Sequence, residues 1–281
     1  MKTTHKIAIA RLLYRVVHGA RALFGRGDRQ IVVRKGIAYD LDMAQGIDLA
    51  IYLGKFERRT ALALSELVQS SSLVLDIGAN IGAHTLHLAN LVGPDGRVFA
   101  FEPTDFAFRK LQRNLELNPV LSPRLKVFHC FLSERDDASV PGAVYSSWPL
   151  VGDSELHAKH LGREMETLSA RGRELDSVLA EYADRKVQLV KIDVDGFECS
   201  VLKGATKMLR EDKPIFVMEL SPYVLEERGG SLAELLSFFI PNGYSFFDEW
   251  TGERLPSTAQ ELGKLVADGA GMNIIARVTR D

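Results

Sequence analysis

From residue 73 onward, short uninterrupted apolar runs alternate with stretches whose apolar positions recur every three to four residues. The runs predict strands at 73–76, 97–102, 126–131, 187–193 and 214–220, and the periodic stretches predict helices at 81–92, 105–117, 199–211 and 231–240. Continuous apolar strands separated by amphipathic helices are the pattern of an α/β protein with a doubly wound, mostly parallel sheet. Two more strands, 244–248 and 273–278, are placed to close the sheet as an antiparallel pair, and the polar stretch 250–272 reads as a loop or short helix. Ahead of this unit come a helix, strands over 31–41 turning at Lys35-Gly36, a polar turn after 48–56, and a helix over 60–69. The expected division is an N-terminal extension of helix and hairpin over 1–50 and a main domain over 51–281. Residues 134–185 interrupt the alternation, and such an insertion at the carboxyl edge of a parallel sheet lies where α/β enzymes bind substrates.

Composition narrows the function classes slightly. The 281 residues are 46% hydrophobic and 26% charged with a net charge of −2, which gives no argument for a nucleic-acid partner. Cys130 and Cys199 have no metal-ligand spacing and read as small buried hydrophobes, so a reducing, cytoplasmic location is expected. Charge is uneven at one place. Nine basic residues from Lys2 to Lys35 are offset only by Asp28, and basic positions interrupt the apolar stretch, unlike a secretory signal. Leu13, Val17, Ala20 and Phe24 can share one helical face, with Arg11 and Arg15 on another. The ordinary reading of residues 1–28 is a helix packed on the domain or on a partner chain, and peripheral contact with an anionic membrane is the alternative.

Candidate chemistry begins at Asp76-Ile77-Gly78-Ala79-Asn80-Ile81-Gly82, where a buried strand gives way to a glycine turn and a helix. That geometry lets backbone approach a nucleotide-like ligand. Glu102, followed by Pro103 at the end of the next strand, is placed to accept hydrogen bonds from ribose hydroxyls. Two ligands compete. A dinucleotide needs G-x-G-x-x-G, whereas here Asn80 stands at the second glycine position. Asp76 would repel a pyrophosphate but can help hold a cationic amino group, which favours S-adenosylmethionine. The rival readings are a nicotinamide-dependent oxidoreductase and a cofactor-binding scaffold without turnover.

Several separate segments resemble the FkbM-type methyltransferases. They are 74–82 with Val98 to Pro103; Val190-Lys191-Ile192-Asp193-Val194-Asp195-Gly196-Phe197-Glu198 with the following Val201-Leu202-Lys203-Gly204-Ala205; Gly54-Lys55-Phe56-Glu57; and Arg173-Glu174-Leu175-Asp176-Ser177. Asp195 stands where the family usually has glutamate, and Glu174 where it has threonine. The resemblance covers roughly residues 50 to 221 and implies a class I methyltransferase fold, S-adenosylmethionine as cofactor, and O-methylation of a carbohydrate, glycolipid or polyketide-like acceptor.

On this basis Gly78, Ala79, Asn80 and Gly82 are expected along the cofactor, with Asp76 at its methionine part, Glu102 and Pro103 at the ribose and Ser133 by the adenine. Glu57 is placed to reach the methionine end or the acceptor. Asp193 is the candidate base, or a ligand of the cofactor's amino group. His157 and His160 in the insertion are further base candidates. His84 and His87 read as packing or surface residues. The oxygen donors of Asp193, Asp195 and Glu198 suit magnesium or manganese, but Asp195-x-x-Glu198 is also a capping box, and no metal site is predicted.

Overall fold

A computed structural model describes residues 3–152, 156–157 and 161–279, with side chains from Ile7 onward. The N-terminal part comprises α1 (Thr3–Ala22), the hairpin β1 (Arg29–Arg34) and β2 (Ile37–Asp42), α2 (Gly46–Tyr52) and α3 (Arg58–Leu67). The central alternation follows as β3 (Leu73–Ile77), α4 (Ala83–Leu91), β4 (Arg97–Phe101), α5 (Asp105–Glu116) and β5 (Leu125–Phe128). The interrupting region holds β6 (Cys130–Ser133), β7 (Ala143–Ser147), β8 (Arg163–Glu166), β9 (Arg171–Glu174) and α6 (Leu175–Tyr182). The chain then runs through β10 (Val187–Ile192), α7 (Glu198–Lys203), α8 (Thr206–Glu211), β11 (Ile215–Leu220), α9 (Pro222–Glu227) and α10 (Leu232–Phe239). It closes with β12 (Tyr244–Asp248), α11 (Ala259–Gly263) and β13 (Met272–Val278).

Seven strands form the main sheet in the order β12-β13-β11-β10-β3-β4-β5. Every described pairing is parallel except those of β13, which runs antiparallel between β11 and β12. This is the order and sense of a class I methyltransferase sheet, as the motif resemblance implied. The order reverses between β3 and β10, and the crevice at such a switch point is where doubly wound sheets bind ligands.

Strand period two divides the core. Leu73, Leu75 and Ile77 of β3, with Val190 and Ile192 of β10, pack among α6, α7, α8 and α10 on one face. Val74 and Leu189 pack with α2, α4 and the hairpin on the other. The hairpin is docked on the end of α5 and the turn after it, where Asn118 Oδ1 accepts from Ala38 N at 3.0 Å and Asn114 Oδ1 from Asp40 N at 2.8 Å. Leu13 and Val17 of α1 pack against this second core, as their spacing predicted. Phe24 does not join them. It follows the helix end and is 80% exposed. Among the described residues no helix is long and apolar enough to cross a membrane.

Three expectations need correction. The strand expected over 126–131 is two: β5 stays in the sheet, and β6 leaves it at His129 to pair with β9. The ring of His129 stacks on Phe108, with centroids 4.3 Å apart. The helix expected over 199–211 breaks at Gly204. A Cβ at Gly204 would lie 2.2 Å from the Ser133 carbonyl oxygen, and the Asp176 carboxylate accepts from the Lys207 and Met208 amides to start α8 afresh. The capping box at Asp195 does not form. Asp195 sits at φ 48°, and the residue before α7 is Phe197.

Glu198 instead reaches back on its own, its Oε1 accepting from Val194 N at 3.3 Å and Gly196 N at 3.5 Å. Burial pushes its carboxyl up to about 7. The folded chain thus retains a proton there that an unfolded glutamate releases nearer its usual value of 4.5. The resulting stabilisation is present in acid and is lost as pH rises through about 7, by up to about 3 kcal/mol. Glu198→Gln keeps an acceptor for both amides and cannot ionise. Urea unfolding at pH 5 and pH 8 should show a smaller loss of stability with rising pH in the variant; an identical loss would refute the assignment.

Candidate active site

The turn after β3 is held by backbone before any side chain contributes. Gly78 N and Ala79 N both donate to the Phe101 carbonyl, at 3.0 and 2.9 Å. Gly78 has φ +82°, and a Cβ there would lie 1.8 Å from the Asp193 carbonyl oxygen, so the turn and the end of β10 touch at a point only glycine permits. Asn80 takes the next left-handed position at φ 48°, its Oδ1 accepting from Ile81 N at 2.9 Å. Gly82, expected along the ligand, is explained differently. It has φ +87°, and a Cβ there would press within 2.5 Å of Leu111 Cδ1 on α5, so it serves packing and does not line the cleft.

Glu102 ends β4 beside this turn. Its Oε2 accepts from Asn80 N at 2.8 Å, and its Oε1 accepts from Thr104 N at 2.9 Å and Thr104 Oγ1 at 2.6 Å. Burial raises its pKa, while those donors and Lys191 oppose the shift. The carboxylate is thereby fixed on the wall of a narrow cleft shared with Gly78, Asn80, Pro103, Leu132 and Asp193. Phe131 and Leu132 of β6 line that wall. Ser133, expected by the ligand, does not; its Oγ lies 3.4 Å from Ser200 Oγ. The departure of β6 from the sheet turns residue 133 toward α7.

Beneath the turn lies a buried charge cluster. Lys191 is opposite Asp76 in the β10–β3 register, and the two side chains share a face of the sheet. Asp76 is fully buried. Its Oδ2 accepts from Thr85 Oγ1 at 2.6 Å, and its Oδ1 lies 3.7 Å from Lys191 Nζ without a hydrogen-bond partner. The structure thus sets Asp76 under the cleft rather than at its mouth, a correction to its expected contact with the ligand. Lys191 Nζ also lies 3.4 Å from both the Gly78 carbonyl and Asp193 Oδ2. Burial works against its charge, but Asp193, Asp76 and Glu57 outweigh it and raise the lysine pKa. Lys191 was not singled out from sequence, although a lysine inside the apolar run of a parallel strand signals a buried partner.

Asp193 is the junction of the site. Its side chain is 32% exposed and borders the Glu102 cleft, a small pocket by Glu219 and Asn273, and a larger cavity of about 630 Å³. Burial and the charges of Asp193, Glu219 and Glu198 push the Asp195 carboxyl well above the usual range. Ala79 and Glu57 line the large cavity, as does His84, whose Nε2 lies 2.6 Å from Glu57 Oε2. His84 is thus a buried residue, but one facing the cavity. A histidine in the first turn of the helix after a glycine loop points back toward that loop, which is the signal that would have found it.

The insertion histidines fare differently. His157 lies 3.4 Å from Glu227 and packs edge-on to Tyr145, and it borders none of the three spaces that meet at Asp193; His160 lies outside the described residues. What the insertion does bring is β7. Tyr145 and Ser146 line the Glu102 cleft, and the Ser146 carbonyl accepts from Asn80 Nδ2 at 3.1 Å. Among the described residues no three histidine, cysteine or acidic side chains are grouped to hold a metal ion.

The site can therefore hold a hydroxyl-bearing ligand at Glu102 and present a second molecule to Asp193 from the larger cavity. Comparison with known proteins identifies the family. Residues 76–246 match the methyltransferase FkbM domain, a span that runs from Asp76 at the end of β3 into β12. Methyltransferase 1 of Beauveria bassiana is 31% identical over 150 residues, 47% of this chain and 58% of that protein. Methyltransferase sdnD of Sordaria araneosa is 30% identical over 162 residues, 48% of this chain and 61% of that protein. The 2-O-methyltransferase NoeI of Sinorhizobium fredii is 26% identical over 163 residues, 54% of this chain and 65% of that protein. The matches thus span about three fifths of these relatives' lengths. With the family domain covering more than half of its residues, the chain belongs to the FkbM methyltransferase family.

Proposed function

We propose that this protein transfers a methyl group from S-adenosylmethionine to a hydroxyl of a carbohydrate, glycolipid or polyketide-like acceptor. The observation that carries the proposal is the Glu102 carboxylate, fixed by Asn80 and Thr104 on a cleft wall whose base is the glycine turn. Three protein donors leave the carboxylate one acceptor site, on Oε2, which suits a ribose hydroxyl. Asp193 and Asp195 line the same cleft, and the Asp193 carboxylate would repel a pyrophosphate. The name of NoeI, a 2-O-methyltransferase, supports oxygen as the acceptor atom.

When bound, S-adenosylmethionine supplies a methyl group made electrophilic by a positive sulfur. The chain's own contribution is placement and proton handling. Gly78 and Asn80 keep the backbone close to the cofactor, and Glu102 fixes its ribose. β7, tied to Asn80 through the Ser146 carbonyl, shields the cleft from water. Asp193 sits where the cofactor cleft meets the larger cavity and takes the proton of an acceptor hydroxyl, while Lys191 orients its carboxylate at 3.4 Å. The His84–Glu57 pair at 2.6 Å on the cavity wall favours a second assignment of that base. In either case the acceptor proton ends on a group of the cavity wall.

Titration calorimetry tests the donor. S-adenosylmethionine and S-adenosylhomocysteine should each saturate one site, and NAD and NADP should not; binding of a dinucleotide alone would overturn the proposal. Glu102→Ala should weaken S-adenosylhomocysteine by about 10- to 100-fold through loss of charge-assisted hydrogen bonds. Unchanged affinity would remove Glu102 from the ribose site.

The base is assigned by kinetics. Asp193→Asn should lower kcat by about 100-fold or more with S-adenosylhomocysteine affinity near wild type. If His84→Gln gives that result instead, the base is His84.

A further inference from the structure

We propose that the large cavity takes the apolar chain of an amphiphilic hydroxyl acceptor, so that the reactive hydroxyl lies at Asp193 and the chain runs between α1 and α2. This deepens the methyl-transfer reading and rests on it. The cavity of about 630 Å³ is lined by two chemically distinct sets of side chains. Polar groups of the reactive site, Asn80, His84, Glu57 and Asp193, are one set. Apolar side chains, among them Ile7 and Ile9 of α1, Ile47 of α2, Phe56, Trp148 and Leu150, are the other. A free sugar or other small polar acceptor would leave much of that apolar lining uncovered. An acceptor with a polar head and an alkyl or isoprenoid tail matches both sets.

The apolar wall is preformed. Gly46 N donates to the Trp148 carbonyl at 2.8 Å, and Leu150 N donates to the Ala44 carbonyl at 2.8 Å. Ser147 Oγ donates to Gln45 Oε1 at 2.9 Å. The segment from Ser146 to Leu150 is thus strapped from the glycine turn at Asn80 to the start of α2, which fixes Trp148 and Leu150 over the cavity. The helix that supplies the far wall is apolar on its outside too. Ile9, Leu12 and Val16 recur at helical spacing and are 50%, 62% and 64% exposed. Ile9 belongs to both surfaces, so the cavity communicates with an apolar outer stripe from which a chain can enter.

Octyl β-D-glucoside and methyl β-D-glucoside, both below micellar concentrations, probe the site in the full chain, with and without S-adenosylhomocysteine. One octyl glucoside should bind per protein, about 100-fold or more tighter than the methyl glycoside, since each buried methylene adds roughly a factor of four. Ala50 and Ala10 line the cavity, and Ala50→Trp and Ala10→Trp fill it from α2 and from α1. Each should reduce the octyl preference by about 10-fold or more, as overpacking excludes the chain. Retained S-adenosylhomocysteine affinity shows which variants are folded. Equal binding of the two glucosides, or an octyl preference surviving in a folded variant, overturns the proposal. Failure of the wild type to bind S-adenosylhomocysteine overturns the methyl-transfer reading instead, and the two failures are read in separate titrations.

Discussion

A lysine ammonium buried between Asp76, Asp193 and the Gly78 carbonyl holds the centre of this protein together. Strand register explains why. Asp76 and Lys191 are opposite one another in neighbouring parallel strands, and Asp193 follows Lys191 on the same face two residues on. Two carboxylates and one ammonium are therefore confined where the sheet order reverses. Burying charge this way is costly unless it is paired, and removing one partner strands the others. The same ammonium faces the carbonyl of Gly78, whose missing Cβ lets the Asp193 backbone come into contact. Turn, ion pair and strand end are thus one mechanical unit.

Around that unit the chain builds two walls from distant segments. Glu102 is set by the Asn80 amide across from it and by Thr104 behind it, so one side of the cleft is rigid before a ligand arrives. The insertion supplies the other side through β7 and then crosses to α2. This links the cofactor cleft to the N-terminal segment without help from the sheet. The functional consequence is a single junction, Asp193, reached from the narrow Glu102 cleft on one side and from a roomy, largely apolar cavity on the other.

Much of this was legible in the sequence because it depends on local rules. Continuous apolar runs located every strand of the parallel core, and the turn residues Gly78, Asn80 and Gly82 announced left-handed backbone. What was hidden depends on tertiary contact. Gly82 looks like a ligand-facing glycine until Leu111 is seen against it. Ser133 looked close to the adenine because β6 was read as a continuation of β5, and no local signal marks the point where a strand leaves a sheet. Asp195 and Glu198 have capping-box spacing, but the left-handed Asp195 moves the start of α7 to Phe197. Lys191 was quoted within a motif while its role went unread, since register is set by the neighbouring strand.

The direct test of this account is thermal unfolding of Lys191→Met, Asp76→Asn and the double variant. Loss of the ammonium should lower the Tm of Lys191→Met by about 10 °C, in line with a broken buried pair. Asp76→Asn keeps an acceptor for Thr85 and removes the stranded charge, so adding it should recover at least half of the loss. A Lys191→Met protein that melts like wild type, or a double variant that recovers nothing, would contradict the claim that this buried ion pair organises the site.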